Sequence, residues 1–186
     1  MRLELLREAG YEEALLGLSL SYNTEPSERV ARNLAHKQGG HNKFLESIQV
    51  WIDVTAPRYF WQQFDTYRIG VTKQSESTMH TLMRTPLTSD SFCGWIGPSW
   101  LNQLQIWQKE GNFTDLKAHL PEAFLQRRIV CTNYKALQAI YMQRKNHKLP
   151  EWGFFFNTLL PQLDHPGFIK EDYESETSLS TQGVPC

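Results

Sequence analysis

The octet Ile48-Gln49-Val50-Trp51-Ile52-Asp53-Val54-Thr55 constrains this chain most. Its β-branched residues occupy every second position, which is the period of a half-buried strand. Trp51 interrupts the polarity of the other face, so that face is expected to be partly covered. Pro57 then opens a helix expected to reach Arg68, because proline is pre-organised for a first helical turn. Phe60, Phe64 and Tyr67 fall on one side of that helix, with Trp61 beside them. A strand feeding a helix sets the expectation of an α/β (α+β) domain.

The other elements are read in the same way. Arg2 to Leu6 reads as a short strand and Tyr11 to Leu20 as a buried helix. A turn over Asn23 to Ser27 leads to a second helix from Ser27 to Gln38, which Gly39-Gly40 ends. Thr72 to Gly97 is rich in Ser, Thr, Gly and Pro and is expected to be an ordered loop. Helices are expected over Pro98 to Lys109, Asn133 to Arg144 and Pro150 to Leu163, with a strand from Phe124 to Thr132. The domain is expected to span residues 1–165. Residues 166–186 are expected to be a polar, flexible tail, acidic and then Ser/Thr-rich from Lys170, with too little apolar content to fold alone.

Hydrophobic residues make up 40% of 186, enough to bury a sizeable core. Formal charge is −1, from 19 Lys+Arg against 20 Asp+Glu. That balance gives no basic face for duplex nucleic acid. No apolar run approaches the roughly 20 residues a bilayer span needs, and the N-terminus has no signal-peptide core. A cytoplasmic protein without membrane contact is the expectation. Cys93, Cys131 and Cys186 have no zinc-finger or disulfide-framework spacing. His36 and His41 are separated by a helix-breaking Gly-Gly, so no metal site is expected. No P-loop, dinucleotide-binding glycine motif or nucleophile elbow is present.

Two stretches taken together resemble a known family. GGHNKFLESIQVWIDVTAPRYFWQQFDTYRIG resembles the Gly-His loop, strand, Ala-Pro and helix of flavin-dependent thymidylate synthases, whose helix ends in Arg-His-Arg. HLPEAFLQRRIVCTNYKALQAIYMQR resembles their Leu-Pro turn, strand, Asn-x-Arg-x-Leu helix start and following Leu-Arg. The resemblance covers roughly Arg2 to Leu163. It implies an antiparallel or mixed central sheet packed with helices. It also implies methylation of dUMP or a related base modification, with FAD as cofactor, a folate as one-carbon donor, NADPH as reductant and a homotetramer.

Residue by residue, the resemblance assigns His41, Glu46, Arg68, Asn133 and Lys135 to the flavin. It assigns Gln63, Ser75, Ser77, Lys117 and Arg144 to the pyrimidine nucleotide. Thr66 and Tyr67 replace the first two members of Arg-His-Arg, and Thr78 meets a phosphate-binding Arg. Lys117 and Lys135 keep the charge of an Arg but not its bidentate fork. No catalytic residue is assigned.

Each of these residues also has a structural reading. His41 suits a surface loop, Arg68 and Arg144 a helix C-terminus, Gln63 an exposed helix face and Asn133 a helix cap. Ser75 and Ser77 suit ordinary loop chemistry. A second functional class therefore stays open: a non-redox nucleotide-binding or interaction protein that keeps the fold. A third is an enzyme making a different base modification.

Overall fold

The computed structural model describes residues 1–37 and 39–173; residue 38 and segment 174–186 of the expected tail lie outside the described residues. Four strands form one antiparallel sheet in the order β1-β2-β4-β3. They are β1 (Arg2–Ala9), β2 (Gln49–Pro57), β3 (Val71–Ser75) and β4 (Leu125–Asn133). The helices are α1 (Tyr11–Leu20), α2 (Glu28–Ala35), α3 (Arg58–Phe64), α4 (Thr78–Thr81), α5 (Pro98–Lys109), α6 (Phe113–Ala118), α7 (Tyr134–Arg144) and α8 (Pro150–Leu159). The α/β class with an antiparallel sheet agrees with the sequence expectation.

The expected alternation in β2 is present: Val50, Ile52, Val54 and Ala56 are wholly buried. On its other face Trp51 is half-buried, with the Arg7 guanidinium 5.8 Å from its ring centre. The backbone fixes the register of β2 on β4. Arg58 N–H donates to Phe124 O at 3.1 Å, and Tyr134 N–H donates to Ile48 O at 3.0 Å. A one-residue slip would turn the buried row of β2 to the opposite face.

By contacts the chain divides into two compact units. The first comprises residues 1–3, 53–67 and 73–130; the second comprises 4–52, 68–72 and 131 onward. In the first, Leu82, Leu87, Phe92, Leu104, Leu116 and Leu120 form one apolar cluster. The rings of Phe60, Trp61 and Phe64 pack together 5.5–5.7 Å apart. In the second, Leu15, Leu34, Leu45, Ile48, Leu137, Trp152, Phe155 and Phe168 are among the buried residues. No described helix is long and apolar enough to cross a membrane.

The structure departs from the sequence expectations in several places: the helix expected over Ser27 to Gln38 runs Glu28–Ala35, the first strand continues past Leu6 to Ala9, and α6 was not expected. The expected loop over 72–97 contains β3, α4 and a 3-10 turn at Ser89–Ser91. β3 is an edge strand whose sequence Val-Thr-Lys-Gln-Ser holds one apolar residue, with Lys73 at the second partly buried position, so it lacks the apolar alternation that marks a half-buried strand. The helix expected to reach Arg68 ends at Phe64, where a lysine from β3 takes up its last carbonyl. The last helix ends at Leu159, and Pro161, which has no N–H to donate, continues the chain as a 3-10 turn. The boundary expected at 165/166 falls inside packed chain. Residues Pro166–Phe168 form a further 3-10 turn, and Phe168 and Ile169 are each 1% exposed. Phe168 packs edge-on against Phe44 and Tyr134, which places this stretch on the core.

Gly10 makes the tight junction between β1 and α1. Its φ is 92°, and a Cβ there would lie 2.4 Å from the Ser47 carbonyl oxygen. Gly10→Ala is expected to cost about 2 kcal/mol, from left-handed strain plus the displacement of that backbone. Thermal melts would check this; an unchanged midpoint would show that the 47 segment yields freely.

Candidate functional site

In the second unit, the loop after α2 is built around one side chain. Asn42 is 1% exposed. Its amide donates to Ala35 O at 3.0 Å and to Gln138 Oε1 at 3.1 Å, and its oxygen accepts from the Lys135 ammonium. Gln138 in turn donates to Ala35 O at 3.0 Å and to Phe168 O at 2.9 Å, and meets His36 Nδ1 at 3.2 Å. The other His36 nitrogen lies 2.7 Å from Gly167 O. This network joins the end of α2, the loop carrying His41, the first turns of α7 and the 166–168 turn. Buried amides hold such positions because each unpaired donor or acceptor is costly.

Five of the expected flavin contacts lie in this unit. His41 and Glu46, both exposed, line a cavity of about 460 Å³ with Tyr22, Lys43 and Phe44. Lys135 lines a different cavity, about 660 Å³, with His36, Tyr141, Lys145, Lys170 and Asp172. Asn42 connects the two, because it follows His41 and binds Lys135. Asn133 is spent on the helix: its Oδ1 accepts from Ala136 N–H at 2.8 Å, and the residue is buried. Its amide also packs on Gly70, whose φ is 67° and where a Cβ would come within 2.8 Å of Asn133 Nδ2. Arg68 is exposed and lines neither of these cavities. Arg144, the one expected nucleotide contact in this unit, ends α7 with its guanidinium 5.0 Å from the Trp152 ring centre.

The remaining nucleotide candidates lie in the first unit. Lys117 on α6 donates to Thr78 Oγ1 at the start of α4, one residue beyond Ser77. Burial, and then the nearby charge of Arg58, holds the Lys117 ammonium below the ordinary lysine range. Ser77 gives its carbonyl to the first turn of α4, and Ser75 ends β3 as an exposed residue. Gln63 is half-buried in α3.

The end of α3 explains its early stop. Lys73 Nζ takes Phe64 O, the last carbonyl of α3, at 3.2 Å, and Tyr67 O just beyond it at 3.0 Å. The same ammonium lies 3.3 Å from Asp65 and 5.3 Å from the Phe64 ring centre. Arg128 of β4 binds Asp65 through Nη1 at 2.9 and 3.0 Å and stacks 4.5 Å from the Trp61 ring centre. Thr66 turns its hydroxyl back to Gln63 O at 2.7 Å, and Tyr67 packs edge-on against Phe64. Cations at a helix C-terminus oppose its partial negative charge. Sequence reading missed Lys73 and Arg128 as partners of this helix end. The signal for Arg128 was its place on the Gln126/Val130 side of a two-residue period; nothing local pointed to Lys73.

No family description and no curated protein matches this sequence. Solved structures do. A flavin-dependent thymidylate synthase ThyX from Helicobacter pylori, complexed with FAD and dUMP, superposes with a TM-score of 0.77 at 17% identity, covering 92% of this chain and 99% of that one. A second structure of ThyX from the same organism with FAD and dUMP gives 0.73 at 17% identity, over 92% and 98%. The UMP/dUMP methylase PolB from Streptomyces cacaoi, bound with 5-Br UMP, gives 0.51 at 15% identity, over 74% and 73%. The likeness is one of fold.

Proposed function

We propose that this protein binds a pyrimidine nucleotide and modifies its base, in the manner of a divergent flavin-dependent thymidylate synthase. The observation that carries this reading is the agreement in fold over 92% of this chain and 99% of a neighbour complexed with FAD and dUMP. The methylase neighbour bound with 5-Br UMP adds that a pyrimidine nucleotide is the ligand class common to all three.

The residues present fit a flavin dinucleotide in their chemistry. The cavity of about 660 Å³ is lined by Lys135, Lys145, Lys170 and His36 against Glu171 and Asp172, a set that can neutralise a diphosphate. His41 and Glu46, with the Phe44 wall beside them, offer polar groups and an apolar face to a ring. His41, Glu46, Arg68, Asn133 and Lys135 are the cofactor residues of this reading. Gln63, Ser75, Ser77, Lys117 and Arg144 are its nucleotide residues. When bound, a reduced flavin supplies hydride, the part of the chemistry that side chains cannot perform. The protein's own share is to hold the phosphate, orient the ring and stabilise charge that develops on it. A folate carbon donor, NADPH as reductant, a homotetramer and a cytoplasmic location complete the proposal.

One observation favours the second reading, a nucleotide-binding protein without redox chemistry. At the end of α3, Thr66 and Tyr67 are folded onto their own helix, and neither presents a cation. Purified protein is therefore expected to behave in one of two ways when mixed with FAD, desalted and titrated with dUMP and UMP. Retained flavin absorbance with nucleotide binding supports the first reading. Nucleotide binding by a colourless protein selects the second, and binding of neither overturns both.

A further inference from the structure

α1 carries a glycine in its interior, Gly17. Apart from proline, glycine is the poorest helix former, because it has the most backbone freedom to lose. Nothing within the chain calls for it there. Its backbone is helical, outside the left-handed region that favours glycine. A Cβ added to it would meet no atom within 4 Å, whereas one at Gly10 would run into the Ser47 carbonyl. What Gly17 does border is the cavity of about 460 Å³ between α1 and the 40–47 loop. At roughly 100° per residue, Glu13, Gly17, Ser21, Ala14 and Leu18 follow one another around a single arc of the helix, and all five line that cavity. Gly17 lies inside the arc, so a side chain at 17 would project into the cavity. The facing wall is built by Phe44, with His41 and Glu46 beside it.

We infer that Gly17 is a specificity-determining residue: its bare backbone leaves the slot in which the flat flavin ring lies along α1. The inference rests on the cofactor reading above. It goes further by drawing on α1, an element to which the family resemblance assigns no contact. The volume lies within the roughly 300–1,000 Å³ of small-ligand pockets. Leu18 and Phe44 offer apolar surface to the ring faces, while His41, Glu46 and the Ser21 hydroxyl can meet polar atoms at its edge. A planar ring needs close approach on both faces, and a helix backbone without a Cβ allows it on one of them.

The test is fluorescence titration of the full-length wild type, G17A, G17L and G153A with FAD, beside thermal melts of the ligand-free proteins. Gly153 in α8 also has no atom within 4 Å of its missing Cβ, but it does not line this cavity, so G153A reports the gain in helix propensity alone. G17A and G153A are each expected to raise the melting midpoint by about 2–4 °C. G17A weakens FAD binding about tenfold, the effect of one methyl group in a filled slot. G17L abolishes saturable binding, and G153A binds FAD as the wild type does. A lowered midpoint in G17A would show that the chain itself needs this glycine, and it overturns the inference. Should G17L not fold, G17A carries the test, and FAD affinity equal to wild type overturns it. Light scattering separates a second route, because Leu16 and Leu20 are exposed on the neighbouring face of α1. If G17L loses FAD only by breaking an assembly of copies into smaller species, the slot is not the cause and the inference falls. Equal FAD binding by wild type and folded G17L leaves the cofactor reading standing and removes this one. A wild type that retains no FAD overturns both.

Discussion

Asn42→Ala is expected to cost about 3 kcal/mol of folding stability, more than a single ordinary hydrogen bond, because several buried partners lose contact together. Asn42 is buried and makes three contacts at once: to Ala35 O, to Gln138 Oε1 and to the Lys135 ammonium. Removing it leaves the Gln138 oxygen without that donor in the core. Ala35 O keeps its bond from Gln138 Nε2 at 3.0 Å, so the loss is not total. Lys135 is half-buried and can turn partly to water, which recovers some of its share. The remaining polar ends lose their shared partner, so the network loosens as a unit. Asn42→Asp is no rescue, because it sets a second carboxylate oxygen where the amide now donates to Ala35 O and Gln138 Oε1. The loop at 39–46 carries His41 and Glu46, so faster amide exchange over 43–46 should accompany the fall in stability. An unchanged melting temperature and unchanged exchange would refute this account of the loop.

Tyr134→Phe carries the second large effect, about 2–3 kcal/mol at neutral pH. Tyr134 is wholly buried; its hydroxyl donates to Glu8 Oε1 at 2.8 Å and accepts from His165 N–H at 3.2 Å. Burial pushes the Tyr134 hydroxyl far up, with the neighbouring Glu8 charge adding to it, so it stays a donor at every working pH. Glu8 itself is held above the ordinary carboxylate range by burial, while its bonds from Tyr134 and Asp164 N–H pull the other way. A carboxyl raised in the folded state binds its proton more tightly there than when unfolded. Its contribution to stability is therefore fully present below the unfolded value near 4.5 and is lost as pH rises through the folded value. In the Phe variant the opposing bond from Tyr134 is gone, and Glu8 rises further. The difference in stability between wild type and variant should thus be greatest around neutral pH and shrink as the solution is acidified towards 4.5. Denaturant melts of both proteins at several pH values measure that difference directly, and a gap that widened on acidification would contradict the assignment.

Much of this protein was determined by its sequence alone. The two-residue period of β2, the proline starts of α5 and α8, and Asn133 before α7 are local devices acting over a few residues. α1 and α5 begin and end where the sequence places them. The order of strand, Ala-Pro, helix, Leu-Pro, strand and Asn-started helix was enough to indicate the fold that the solved structures share.

What the tertiary structure decided is where long-range partners end or occupy those elements. α3 stops at Phe64, where Lys73 from β3 takes the Phe64 carbonyl and both Lys73 and Arg128 from β4 pair with the Asp65 carboxylate. β3 exists as the neighbour of β4 at the edge of the sheet, not as a pattern in its own Ser/Thr-rich sequence. Phe168 and Ile169 are drawn into the core from a stretch that reads as polar tail. The candidate site divides in the same way. Residue types for an anion and a ring were legible in Lys117, His41 and Lys135. That Lys117 reaches the Thr78 hydroxyl, and that His41 and Lys135 open on different cavities joined by Asn42, depends on contacts across tens of residues. Local propensity acts within a turn or two of chain, whereas charge pairing and burial act through space, and only the folded chain brings those partners together.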